Sequence, residues 1–157
     1  RTYYQKNWMI KLLPSKRVEK LTGIDYDVLG WAIDKVLSTN FNKDFVYNVT
    51  IHKSRVEGTS FVCLGGRSRN FKIHLDCDGD MRYFVSTILH EIRHILQHNF
   101  FKFEIKTAFS TYKEYYNSPE EKDARRFEKL TTSVMHIYKA FETSKVVFKK
   151  NSLGTTI

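Results

Sequence analysis

Apolar positions fall at helical spacing in two stretches of this chain and alternate in the stretch between them. Leu29, Ala32, Ile33, Val36 and Leu37 follow Asp25 and Asp27 and predict a helix over about 26–39, ended by Thr39-Asn40. Val85, Ile88, Leu89, Ile92, Ile95 and Leu96 predict a second helix over about 81–99, behind a turn and N-cap at Asp76, Asp78, Gly79 and Asp80. Between the two, Phe45, Tyr47, Val49 and Ile51 alternate, as do Phe61 and Cys63, then Phe71, Ile73 and Leu75, with Gly65-Gly66 as a turn signal. Strands are therefore expected at 45–52, 59–64 and 70–76, and residues 100–107 read as a short strand or extended loop. Ser118-Pro119-Glu120-Glu121 supplies an N-cap Ser, a Pro at N1 and a Glu at N3. A third helix then runs to about 143, with Ala124, Phe127, Leu130, Val134, Ile137 and Phe141 on its apolar side. The expected fold is α+β: a small antiparallel three-stranded sheet packed on a helix pair, with an additional N-terminal helix.

Composition narrows this further. The 157 residues fit one domain, and 41% hydrophobic residues exclude disorder as a description of the whole chain. No apolar run approaches the roughly 20 residues that span a bilayer, and no charged segment leads into an apolar one as in a signal peptide. Cytoplasmic placement is expected, in an infected host cell or with a virion. Cys63 and Cys77 lack the CxxC spacing of a zinc knuckle and read as reduced thiols. The net charge of +9 points to an acidic partner such as nucleic acid. Its distribution tempers that. Residues 1–20 carry six basic side chains and one acidic, and residues 139–157 carry four and one, so the middle is nearly neutral. The expected organisation is a basic N-terminal arm (1–20), one domain (21–143) and a basic tail (144–157).

The chemistry lies in the second helix, where His90-Glu91-Ile92-Arg93-His94 forms HExxH. Residues four apart share a helix face, so both imidazoles can converge on one Zn²⁺ at about 2.0–2.1 Å. Glu91, one position after the first His, reaches a water activated by the metal and acts as general base. His98 continues the series but lies about 12 Å along the helix from His90, too far to share the metal, and reads as a surface or supporting residue. Gln97 and Phe100 stand where the elongated HExxHxxGxxH pattern needs Gly and His. Arg93 reads as an exposed residue without a role. The better third ligand is Glu121, 27 residues after His94, which leaves room for the chain to turn back. Ala124 one turn on is small enough for close helix packing, and Phe127 extends the strip, while Glu120 and Asp123 point elsewhere on the wheel.

HExxH followed by Pro119-x-Glu121-x-Asp123-Ala124 resembles the small gluzincin-type zinc metallopeptidases, the minigluzincins of phages, mobile elements and bacteria. The resemblance covers about 45–140 and implies a zincin-type helix pair. It implies His90, His94 and Glu121 as zinc ligands, Glu91 as general base and a protein or peptide substrate. The outline is also similar to the SprT-like proteases, whose third His is not clearly supplied here. Tyr115, Tyr116, His136 and Tyr138 are the candidate donors to the oxyanion, and Tyr116, just before the ligand motif, is the catalytic choice. Arg125 and Arg126 read mainly as ion-pair partners of acidic neighbours. An edge strand near 69–76 offers a place for an extended peptide. The expected activity is zinc-dependent peptide hydrolysis. Its alternatives are a nucleic-acid- or virion-associated structural protein with a non-catalytic zinc site, and a protease recruited to DNA through its basic ends.

Overall fold

A computed structural model describes residues 10–38, 47–64, 69–100 and 109–155. Along them run β1 (Ile10–Pro14), α1 (Lys16–Thr22), α2 (Tyr26–Ser38), β2 (Tyr47–Lys53), β3 (Phe61–Cys63), β4 (Asn70–Leu75) and α3 (Met81–Phe100). Then follow α4 (Tyr112–Tyr116), α5 (Pro119–Phe127), a 3₁₀ turn (Glu128–Leu130) and α6 (Thr131–Thr155). The extended segment expected at 100–107 lies outside the described residues, apart from Phe100, which ends α3.

The fold is α+β, but its sheet is not the expected three-stranded antiparallel meander. It has four strands in the order β1-β2-β4-β3. β1 pairs with β2 and β2 with β4 in parallel, and only β3 runs antiparallel, against β4. The missing strand, β1, lies in the segment expected to be a basic arm. Its alternation is short, with Ile10 and Leu12 buried and Lys11 and Leu13 exposed. Once β1 is a strand, residues 15–46 supply the dozen or more residues that a parallel crossover needs, and they carry α1 and α2.

Period-two alternation buries Tyr47, Val49 and Ile51 of β2 and Phe71, Ile73 and Leu75 of β4 on one face, beside Ile10 and Leu12. The apolar faces of α2 (Leu29, Ile33, Leu37) and α3 (Ile88, Ile92, Leu96) join them in one continuous core. α6 lies on α2, where Trp31 and Phe141 stack at 4.5 Å and the Asp25 backbone N–H donates to the Tyr138 hydroxyl at 3.0 Å.

Helix ends follow local chemistry. Ser15 caps α1 by accepting from the Val18 N–H, and Gly23 closes it at φ 67°, a left-handed conformation that a Cβ would strain. Asp80 accepts from the Tyr83 N–H at 2.9 Å and starts α3 at the expected turn. The single helix expected from Ser118 to about 143 is instead α5, the 3₁₀ turn and α6, which continues to Thr155 through the expected tail. At the joint Thr131 turns its hydroxyl back onto the Glu128 carbonyl. Among the described residues no helix is long and apolar enough to cross a membrane.

Candidate metal centre

α3 and α5 pack side by side and bring three predicted residues together. Ligand atoms of His90, His94 and Glu121 all lie within 4.8 Å of one another. Ala124 is fully buried and Phe127 nearly so, the small-then-large strip that lets α5 approach α3. His90 Nε2 and His94 Nε2 are 3.2 Å apart. Glu121 places Oε1 3.2 Å from His90 Nε2 and Oε2 2.6 Å from His94 Nε2. Two ligands of a tetrahedral zinc at about 2.0–2.1 Å stand about 3.3 Å apart, so the two 3.2 Å spacings match such an ion, while the 2.6 Å contact is shorter, a hydrogen-bond distance.

The remote nitrogens are fixed by residues that the sequence reading did not select. Gln97 donates through Nε2 to the Glu120 carbonyl at 2.9 Å and to Asp123 Oδ2 at 2.8 Å. Its Oε1 is therefore the atom facing His94 Nδ1 at 2.9 Å, and an amide oxygen only accepts. Glu128 Oε2 lies 2.7 Å from His90 Nδ1 and, as a carboxylate, also only accepts. Both rings thus carry a proton on Nδ1 and turn Nε2, the nitrogen free to hold a proton or a metal, toward Glu121. Two lone pairs and a carboxylate facing one point need protons or a cation between them, and this donor set fits zinc.

The charges agree. Burial pulls His90 down, but hydrogen bonds to Glu121 and Glu128 outweigh it and carry the ring up to about 10. The same contest, won by Glu121, raises His94. Burial pushes Glu121 up, yet the two imidazoles hold it well below the usual carboxylate range. Glu91, one residue round the helix, is buried, and burial raises it to about 7 against the pull of His90 and His94.

Arg93 is not the exposed residue expected. Its Nε donates to Asp123 Oδ2 at 2.7 Å and a terminal nitrogen to Oδ1 at 3.3 Å, with the guanidinium 5.0 Å over the Phe127 ring. Asp123 therefore receives both Arg93 and Gln97 and ties α5 to the ligand helix. The neighbouring tyrosines diverge. Burial, and then the nearby Glu121 carboxylate, raise the Tyr115 phenol far above its ordinary value. Tyr116 instead lies under Arg125, whose guanidinium sits 3.6 Å from the ring centre and donates to the Tyr116 carbonyl at 2.6 Å. Arg125 is thus bound to tyrosine, and Arg126 makes only a 3.8 Å ion pair with Asp123. Tyr138 bonds Asp25 and Glu142 on the α2–α6 side, while His98 and His136 are exposed. Cys63 and Cys77 are free thiols. β4, the expected edge, is flanked by β2 and β3, so the free edge on that side of the sheet is β3.

Comparison of the chain with models of known families, with curated proteins and with solved structures gives no match.

Two supporting residues had a readable signal. Gln97 follows His94 by three positions and Glu128 follows Glu121 by seven, so each shares a helix face with a ligand. The choice of Tyr115 over Tyr116 had none, because adjacent positions differ only by rotation about the helix.

Proposed function

We propose that this protein is a zinc-dependent metallopeptidase of gluzincin-like design, with His90, His94 and Glu121 as ligands and Glu91 as general base. The observation that carries the reading is the joint one. A His–His–Glu trio has both remote nitrogens fixed, and a buried carboxylate beside it titrates near neutrality. A ligand set serving stability alone has no need of that fourth group. Zinc in this position supplies Lewis acidity toward water and a substrate carbonyl.

The chain's own groups do the rest. Glu91, near neutral pKa, accepts a proton from the attacking water and passes it to the leaving amine. Tyr115, protonated at any physiological pH, donates to the carbonyl oxygen as negative charge builds there. This gives Tyr115 the part first assigned to Tyr116. The free edge of β3 is where an extended peptide adds as a further strand.

The test is a pair of variants assayed for zinc content and for turnover of an unstructured protein such as casein. Glu91→Gln keeps one zinc per chain and loses turnover by about 10²–10⁴-fold, the usual share of a general base. His94→Ala loses both. Wild-type protein that holds no zinc, or Glu91→Gln that keeps full turnover, overturns the reading. Zinc-loaded wild type without turnover favours the structural alternative.

A further inference from the structure

The helices that build the core all lie against one face of the sheet, and the other face presents a different set of side chains. Register and alternation place Lys11 and Leu13 of β1, Asn48, Thr50 and His52 of β2, and Asn70, Lys72 and His74 of β4 outward together. β3 adds Phe61 beside His74 and Cys63 beside Lys72. None of these outward residues carries a carboxylate, and among the described residues no helix covers them. Lys11 and Lys72 are exposed, and Phe61 keeps 38% of its surface in solvent. Phe61 stacks on His74 at 4.5 Å with 17° between the planes, and His52 lies 6.3 Å further across the sheet. Asn48 Nδ2 donates to Asn70 Oδ1 at 3.2 Å, one side of an amide pair.

We propose that this outer sheet face binds single-stranded nucleic acid, with Lys11 and Lys72 meeting phosphates and the Phe61–His74 pair stacking a base. An open four-stranded sheet with outward aromatic rings is a geometry on which unpaired bases stack, and π-faces accept any base. The lysines sit on strands whose outward neighbours, among the described residues of this face, carry no carboxylate to compete with phosphate. β1 and β3 are the two edges of the sheet, about 14 Å apart at the usual strand spacing, room for a strand to run across the face. Burial lowers His74, and the positive groups of Lys72, His52 and Arg55 around it lower it further. The ring is then neutral at pH 7 and extends the stacking surface instead of adding charge. An acidic peptide would engage the lysines but leave the stacked rings and amide pair unused. This surface takes Lys11 from the N-terminal basic segment, lies otherwise outside the basic ends of the chain, and does not depend on the zinc reading.

The experiment is fluorescence anisotropy with the full chain, using labelled oligo(dT), oligo(U) and a mixed-sequence duplex across a salt series. Single strands bind more tightly than the duplex, and preference between oligo(dT) and oligo(U) identifies DNA or RNA as the source of the shared chemistry. Phe61→Ala weakens binding about tenfold or more, and Phe61→Tyr retains it, which separates loss of stacking from loss of fold. Lys72→Gln and Lys11→Gln each reduce the log–log salt slope by about 0.7, and Lys72→Arg restores it. Glu91→Gln, whatever it does to turnover, leaves these affinities unchanged. Equal affinity for duplex and single strand overturns the proposal, as does equal competition by polyglutamate. So does wild-type binding by Phe61→Ala and Lys72→Gln together, which would move the affinity to the chain ends.

Discussion

Gln97 determines which nitrogen of His94 faces the site. Its amide nitrogen is committed to Glu120 and Asp123, so only its oxygen is left for His94 Nδ1. Gln97→Ala frees that ring to rotate or change tautomer and is expected to weaken zinc binding about 10- to 100-fold, measured by competition with a chelating dye. Glu128→Ala acts the same way through His90, and Glu128→Gln less, since its amide oxygen can still accept. The proton is the other competitor for these rings. In the metal-free protein His90 titrates at about 10 and so holds at pH 7 a proton that zinc must displace, and His94 is raised in the same direction. Zinc affinity is therefore expected to fall as pH drops below about 10, with release at pH 7 of about one proton per ion from His90 alone. Calorimetry in buffers of different ionisation heat reads that release directly, and no buffer dependence would contradict the assignment. The ligand trio was legible in the sequence because helix geometry converts spacing into proximity. The supporting pair were legible only as positions, since nothing local says that Glu128 meets His90 across a helix pair.

At the scale of elements, α5 departs from a local rule. Ser118-Pro119-x-Glu121 reads as a capping box, and Ser118 and Pro119 do stand at the N-cap and N1 positions. Yet the Ser118 hydroxyl donates to the Tyr115 carbonyl, and Glu121 turns to the histidines instead of closing the box. A strong start signal whose side chains are spent elsewhere is what a site on a helix terminus looks like. The closeness of α5 to α3 depends on Ala124. Ala124→Leu overpacks that contact, an expected loss of about 1–3 kcal/mol, and it moves Glu121 off the histidines, so zinc affinity falls with the melting temperature. Asp80→Ala removes the cap of α3 and is expected to lower stability by about 1 kcal/mol while leaving zinc affinity unchanged, because His90 lies more than two turns away. Thermal melts with zinc titration separate the two. The helices were readable because their apolar periodicity is long. The parallel pairings were not, because one rests on β1, a five-residue strand in a basic segment whose partner stands beyond a two-helix crossover, and in the other β2 skips β3 to pair with β4.

At the scale of the molecule, the outer sheet face with Lys11 and Lys72 and the His90–His94–Glu121 trio lie on different sides of the core. Counting by chain position put the excess at the ends, but folding sets Lys11 of the N-terminal segment on the same sheet face as Lys72 and His74 of β4, with β2 between them. The His90–His94–Glu121 trio lies where α3 and α5 meet, away from that outer face. The core explains how the site can be independent of the fold. Ile88, Ile92 and Leu96 anchor α3 in the same cluster as the sheet and α2, without help from the ligands on its other side. Chelation is therefore expected to leave far-UV circular dichroism and cooperative unfolding intact. It removes only the linkage term, about 2.7 kcal/mol when free zinc stands at 100 times its Kd, or roughly 5–10 °C for a domain of this size. A structural zinc protein behaves otherwise and unfolds when its metal is taken. The melt of chelated wild type thus discriminates between the two zinc readings without an enzyme assay. If the chelated chain loses its secondary structure, the metal holds α5 on α3, and Glu91 has no need of its near-neutral titration. If it melts cooperatively a few degrees lower, the trio is an addition to a finished fold.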